Sequence, residues 1–173
     1  MATPRGLDPA RHVELDGRRG QPLIRRGFLV VLGVVVLLAL ANTFGQHPST
    51  SRASTGFATL EVQSPSRLRG GLIFQTRITV HARTAIAHPA LVLQKGWFES
   101  MSVNSMVPDP TTQTALDGNV RLAFPRIAAG GTSTFWIYFQ VNPTNVGRRS
   151  ENVTLLGGPG QRLEVRRSLT VFP

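Results

Sequence analysis

Fourteen apolar residues, Phe28 to Ala41 (FLVVLGVVVLLALA), follow directly on Arg25, Arg26 and Gly27. Such a run is apolar on every side of a helix, and only removal from water all round justifies that composition. With Gly27 before it and Asn42, Thr43 and Phe44 after it, the segment counts 18 residues. At 1.5 Å per residue these span about 27 Å, and a hydrocarbon core of about 30 Å takes roughly 17–25 residues. Residues 27–44 are therefore expected to form one transmembrane helix.

Lys and Arg in the flanks set the orientation of such a helix. Arg5, Arg11, Arg18, Arg19, Arg25 and Arg26 precede the run, whereas the first basic residue after it is Arg52, followed by Arg67 and Arg69. The bias places residues 1–26, an Arg-rich tail without apolar periodicity, in the cytoplasm as a disordered segment. Arg25 and Arg26 are the topology determinants. The rest of the chain is expected outside the cytoplasmic membrane. Two alternatives replace the permanent anchor by export and cleavage. Ala39-Leu40-Ala41 has the spacing of a secretory cleavage site but lies inside the apolar run. Arg25-Arg26-Gly27-Phe28-Leu29 matches the twin-arginine core pattern. A lipid-anchored form is excluded, because the chain has no Cys to acylate.

The chain has 18 Arg, one Lys (Lys95) and a net charge of +10. Without Cys it forms no disulfide, no thiol nucleophile and no Cys-based metal site. After the anchor, twelve Arg and Lys95 stand against Glu61, Glu99, Asp109, Asp117, Glu151 and Glu164, a balance of +7. A basic domain raises the question of nucleic acid, but no basic helix or RNA-stacking aromatic pattern is present, and an outer domain rarely meets DNA. Anionic headgroups, wall polymers or an acidic protein face fit better.

Residues 45–55 (GQHPSTSRAST) are small and polar and read as a flexible spacer. From residue 56 to 173 the pattern is short strands separated by turn chemistry. Leu72, Phe74, Ile78 and Val80 alternate with Gln75, Arg77, Thr79 and His81. Strands are also expected at 56–63, 90–94, 97–107, 119–124, 153–156 and 162–171. The 97–107 strand would carry Trp97, Met101, Val103 and Val107 on one side. Asp117-Gly118 is a tight-turn dipeptide. Thr132 to Val141 is the strongest strand, with Phe135, Ile137, Phe139 and Val141 on one face. The fold class is all-β, an antiparallel sandwich after one helix.

The stretch Ile127 to Phe139 (IAAGGTSTFWIYF), followed by Val141 to Gly147 (VNPTNVG), resembles the second half of bacterial immunoglobulin-like or fibronectin-like domains, including the cell-adhesion-related module. The resemblance runs from Ile127 to Val171 and rests on turns and strands. It implies an immunoglobulin-like sandwich of about seven strands, with the Pro-Thr-x-x-Gly turn leading into a strand from Glu151 to Leu156. The disulfide-and-Trp pairing of antibody domains is absent, and nothing catalytic is carried over.

Period two sends Trp136, Tyr138 and Gln140 to the face opposite the core of their strand, where they form a candidate partner surface unless a loop at 108–118 or the spacer covers them. Trp97 and Phe98 pose the same problem, since adjacent strand residues point to opposite faces. Arg77, Arg121, Arg162 and Arg166 fall at outward positions and, if their strands are neighbours, make a basic face for phosphate or carboxylate groups. His81 and His88 lack partners at metal-ligand spacing. Asp109, Asp117 and Asn119 lack the density of a calcium loop. Asn152-Val153-Thr154 fits a glycosylation sequon. Gly157-Gly158-Pro159-Gly160 is a hairpin turn rather than a phosphate cradle.

No Gly-x-Ser-x-Gly elbow, His-Glu-x-x-His helix or close carboxylate pair occurs. The expectation is a non-enzymatic, cofactor-free interaction module tethered to the membrane, binding another envelope or membrane protein. Alternatives are a binding domain for an anionic envelope polymer or lipid headgroups, or an accessory subunit of a membrane transporter or enzyme that uses Gly33 for close helix approach.

Overall fold

A computed structural model describes residues 21–41 and 46–173. The expected cytoplasmic tail lies outside these residues up to position 20, as does the end expected for the apolar segment at 42–44. The chain divides after Thr43 into two units, taken separately below.

The first unit holds α1, Gln21–Leu40. It includes Arg25 and Arg26, which were expected ahead of the helix and not within it. The stretch Pro22–Leu40 is long and apolar enough to cross a bilayer and is exposed along its length.

The second unit is a β-sandwich. Its first sheet has the order β1-β2-β4-β9-β6, with β1 at Pro48–Ser54, β2 at Ala58–Pro65, β4 at Ile73–Ala82, β6 at Met101–Val107 and β9 at Thr132–Val141. The second has the order β12-β11-β5-β8-β7, with β5 at Ala90–Leu93, β7 at Thr112–Leu116, β8 at Asn119–Ala123, β11 at Val153–Gly158 and β12 at Gln161–Val165. Every pair in both sheets is antiparallel. A small third sheet sets β13 (Ser168–Phe172) between antiparallel β10 (Gly147–Ser150) and parallel β3 (Arg67–Arg69).

The inward rows follow the alternation in the sequence. Leu60, Val62, Phe74, Ile78, Val80, Phe135, Ile137, Phe139 and Val141 of the first sheet meet Leu91, Leu93, Val120, Leu122, Val153, Leu155, Leu163 and Val165 of the second in one core. Leu68, Leu169 and Val171 of the small sheet join it. Phe139 sits at the centre, stacked on Phe74 and on Trp97 at 5.3 Å and met edge-on by Phe98.

Four local expectations are corrected. Residues 48–54 are not spacer but β1, paired over its whole length with β2; Ala53 opposes Leu60 and Ser51 opposes Val62. Trp97 and Phe98 do not begin a strand. A 3-10 turn, Lys95–Trp97, brings both onto Phe139, because successive residues of a turn are about 120° apart rather than 180°. The side-chain parity of β6 breaks at a bulge between Val103 and Ser105. One extra residue flips everything after it, so Met106 packs on the core and Val107 is 55% exposed. Finally, the turn after β9 leads first into β10 of the small sheet, and the strand expected from Glu151 follows as β11. With β1, β3, β7 and β10 added, and 162–171 split into β12 and β13, the described residues form thirteen short strands where about seven were expected. The sandwich class itself is as expected.

Two turns are as read. Asp117 and Gly118 both have positive φ, +52° and +75°, and close the β7–β8 hairpin. Gly158 and Gly160 turn β11 into β12.

Candidate functional site

The outer face of the first sheet carries three cross-strand rows. One runs Thr50, Gln63, Arg77, Trp136, Val107 from β1 to β6. The next sets Gln75 beside Tyr138 and Ser105, and the third sets Ile73 beside Gln140 and Ser102. Tyr138 is 36% exposed and Ile73 is 56% exposed. The Gln75 side-chain amide donates to the Tyr138 hydroxyl at 2.9 Å. Trp136, Tyr138 and Gln140 thus lie on one face, directed away from the core. Within the 108–118 segment β7 belongs to the second sheet, and no residue of 108–118 lines the cavity beside Trp136.

Trp136 is half-buried, and the cover is partly Arg77. The guanidinium lies 5.3 Å from the indole centroid, within cation–π range. A second constraint is the Gln63 side-chain oxygen, which accepts a hydrogen bond from Arg77. Among the described residues no carboxylate lies within ion-pair distance of Arg77. Arg77 and Trp136 line a cavity of about 290 Å³ together with Gln46, Pro48, Gln63, Ser64, Pro65 and Gln75. The stretch expected as spacer therefore does reach this face, through Gln46 and Pro48.

The four arginines expected to make one basic face do not come together. Arg77 is on the first sheet, whereas Arg121 (β8) and Arg162 (β12) are on the second, with β5 and β11 between them. Arg162 and Arg166 both pair with Glu164, at 3.5 and 3.7 Å. The strands that carry Arg77, Arg121 and Arg162 alternate as expected, but strand order is not written in the alternation. The candidate ligand residues are also spread out. His81 hydrogen-bonds Thr132, and the Asn119 side chain accepts from the Lys95 backbone. Among the described residues no three His, Asp or Glu gather in a group able to hold a metal.

The sequence reading missed a buried polar node. The side chains of Glu151 and Arg167 are 0% and 3% exposed, and Arg167 Nε lies 3.5 Å from a Glu151 carboxylate oxygen. Arg167 also donates to the backbone carbonyls of Val62, Ser64 and Pro65 and lies 5.6 Å from the Trp97 ring centroid. Burial pushes the Glu151 carboxyl up to about 8, against the opposing pull of Arg167 and Arg149. Burial likewise presses Arg167 below its ordinary value, with Glu151 opposing; the guanidinium keeps its proton in any protein. Asn152 completes the node. Its carbonyl accepts from Trp97 Nε1, its side chain accepts from the Arg167 backbone, and its amide donates to Glu164. The sequon asparagine is thus an internal cross-tie. The one signal in the sequence was the presence of charged residues at the ends of apolar strands, which also describes most exposed ones.

No protein-family model matches the chain, and no curated protein matches it by sequence. Solved structures with a similar outline include the C-terminal domain of Wzt, at 15% identity and a TM-score of 0.39 over 75% of this chain and 81% of that one. The GAE domain of GGA2p from Saccharomyces cerevisiae gives 14% identity and a TM-score of 0.33 over 73% and 98%. The PmoD soluble domain from a Methylocystis species gives 14% and 0.31 over 70% and 97%. Likenesses at this level assign no ligand or partner.

Proposed function

We propose that this chain is a non-catalytic binding module held outside the cytoplasmic membrane by α1, and that the outer face of its first sheet is the contact surface. The carrying observation is the composition of that face. Trp136, Tyr138, Ile73 and Val107 stand out of the core beside Gln75 and Gln140. An aromatic and amide surface of this kind suits a protein partner, because aromatic side chains dominate interface energetics. Tethering supports weak contacts, since confinement raises the effective concentration of the partner. The partner class this favours is another envelope or membrane protein.

The test places a photo-crosslinking residue at Tyr138 and at Gln140, with Thr114 on the opposite sheet as control. A discrete adduct from 138 and 140, absent from 114 and lost on Trp136→Ala, supports the reading. Equal labelling from all three positions, or none, defeats it.

A second reading, recognition of an anionic polymer, is favoured by one observation: Arg77, without a carboxylate partner, packs on Trp136 at one end of the same face.

A further inference from the structure

We propose that the cavity lined by Arg77 and Trp136 binds one negatively charged sugar unit, a ring bearing a carboxylate or a phosphate. The inference rests on the second reading of this face, recognition of an anionic polymer, and names the unit that one end of it takes.

Charge comes first. The cavity lining contains one cation and no acid, in a domain whose sequence balance is +7. Arg77 is not a loose surface cation. Gln63 on one side and the indole of Trp136 on the other hold its guanidinium. A positioned guanidinium keeps N–H groups in a planar fork that matches a carboxylate or phosphate, and less freedom is lost on binding.

The other groups select a hydroxylated ring over a bare anion. Three amides, Gln46, Gln63 and Gln75, line the cavity, and each uses one end on the protein. Gln46 donates to the Ile73 carbonyl, Gln63 accepts from Arg77, and Gln75 donates to the Tyr138 hydroxyl. The free ends can accept or donate, as sugar hydroxyls do. Trp136, Pro48 and Pro65 add flat apolar surface, which suits the C–H face of a ring. A volume of about 290 Å³ lies at the small end of ligand sites, which run roughly 300–1,000 Å³. It suits one ring, with the rest of a polymer continuing over the open face toward Tyr138 and Gln140.

The test titrates the full chain in detergent micelles with four probes: tetragalacturonate, glucose 6-phosphate, neutral galactotetraose and inorganic phosphate. Saturable binding of either acidic sugar, at least about tenfold tighter than the neutral one, supports the site. Which of the two binds identifies the anion as carboxylate or phosphate. Arg77→Met should remove the preference, and Arg77→Lys, which keeps the charge but not the fork, should retain part of it. Four outcomes overturn the proposal: no saturation by either acidic sugar at about 10 mM, a weak regime by any measure; neutral and acidic sugars binding alike; inorganic phosphate binding as well as the acidic sugar that saturates; or Arg77→Met leaving binding unchanged in a variant whose circular dichroism is native. If the sugars fail while the adducts at Tyr138 and Gln140 persist, the ligand falls and the contact face stands. If the adducts fail too, both fall.

Discussion

Glu151 and Arg167 meet inside the core, with Arg167 Nε 3.5 Å from a Glu151 carboxyl oxygen and the two side chains 0% and 3% exposed. The two ends of this pair are not equivalent. Arg167 satisfies three backbone carbonyls of β2 in addition to Glu151, while neither Glu151 side-chain oxygen has a hydrogen-bond partner. Losing the arginine leaves three buried carbonyls without the guanidinium donor. Losing the carboxylate leaves an arginine that still has acceptors. Arg167→Met is therefore expected to cost about 3 kcal/mol or more, since each buried carbonyl left unpaired costs about 1–3 kcal/mol, and Glu151→Gln much less. Urea unfolding of the two variants checks the asymmetry; equal losses contradict it.

The same pair predicts a pH dependence. Burial raises the Glu151 carboxyl from its ordinary 4.5 to about 8 in the folded state. A raised pKa means that the folded chain holds this proton more tightly than the unfolded one. Its contribution is therefore full below pH 4.5 and is lost as pH rises to about 8. The melting temperature is expected to fall across that window, and the fall should be smaller in Glu151→Gln. Other carboxylates act in both proteins alike, so the difference between the two curves isolates this group. Parallel curves would refute the assignment.

Gly96 is fixed by contact, not by φ. A Cβ built there would lie 1.9 Å from the Ser150 carbonyl oxygen. This close approach seats the 3-10 turn against β10 and so delivers Trp97 to the core. Gly96→Ala has to push two backbones apart, and a loss of about 3 kcal/mol or more is expected, at or above the usual cost of overpacking. Because the turn positions Trp97, the emission of the variant should also shift to the red. A stable variant with unshifted emission would show that the turn has slack.

Much of this architecture was legible because burial on one face imposes alternation. The inward rows of β4 and β9 follow the sequence residue by residue, and so do the hairpin turns at Asp117-Gly118 and Gly157 to Gly160. What was not legible has a common cause. The bulge in β6, the edge strand β1 and the 3-10 turn at Trp97 all depend on what lies across the sheet. Strand order is the same kind of information. It placed Arg77 beside Trp136, which the sequence had assigned to a different surface, and it separated Arg77 from Arg121 and Arg162. The Glu151–Arg167 pair joins positions whose patterns say nothing of each other.

The two tryptophans give an optical test of the site. Trp97 is 0% exposed, with its Nε1 donating to the Asn152 carbonyl; Trp136 is half-buried at the cavity. Iodide should quench one fraction of the emission and spare the other. In Trp136→Phe the remaining emission should be blue-shifted and nearly unquenched, because the core around Trp97 excludes the ion. Quenching that survives this substitution would place Trp97 within reach of solvent and contradict the packing of the 3-10 turn.

Orientation is testable with a single cysteine, since the chain has none of its own. Six arginines precede the apolar run, and the first basic residue after it is Arg52. Moving the arginine-rich side across a bilayer is opposed by the bias that orients most single-pass proteins. The domain after α1 is therefore expected outside. Thr114 lies on β7, whose residues are all exposed, so Thr114→Cys reports on that domain without disturbing the core. A membrane-impermeant maleimide applied to intact spheroplasts should label Thr114→Cys and leave Arg11→Cys untouched until the membrane is opened. The labelled protein should also keep an N-terminal tag if α1 is a retained anchor, and lose it if the segment is a cleaved signal. Labelling of Arg11→Cys alone would invert the topology and remove the envelope from the proposed function.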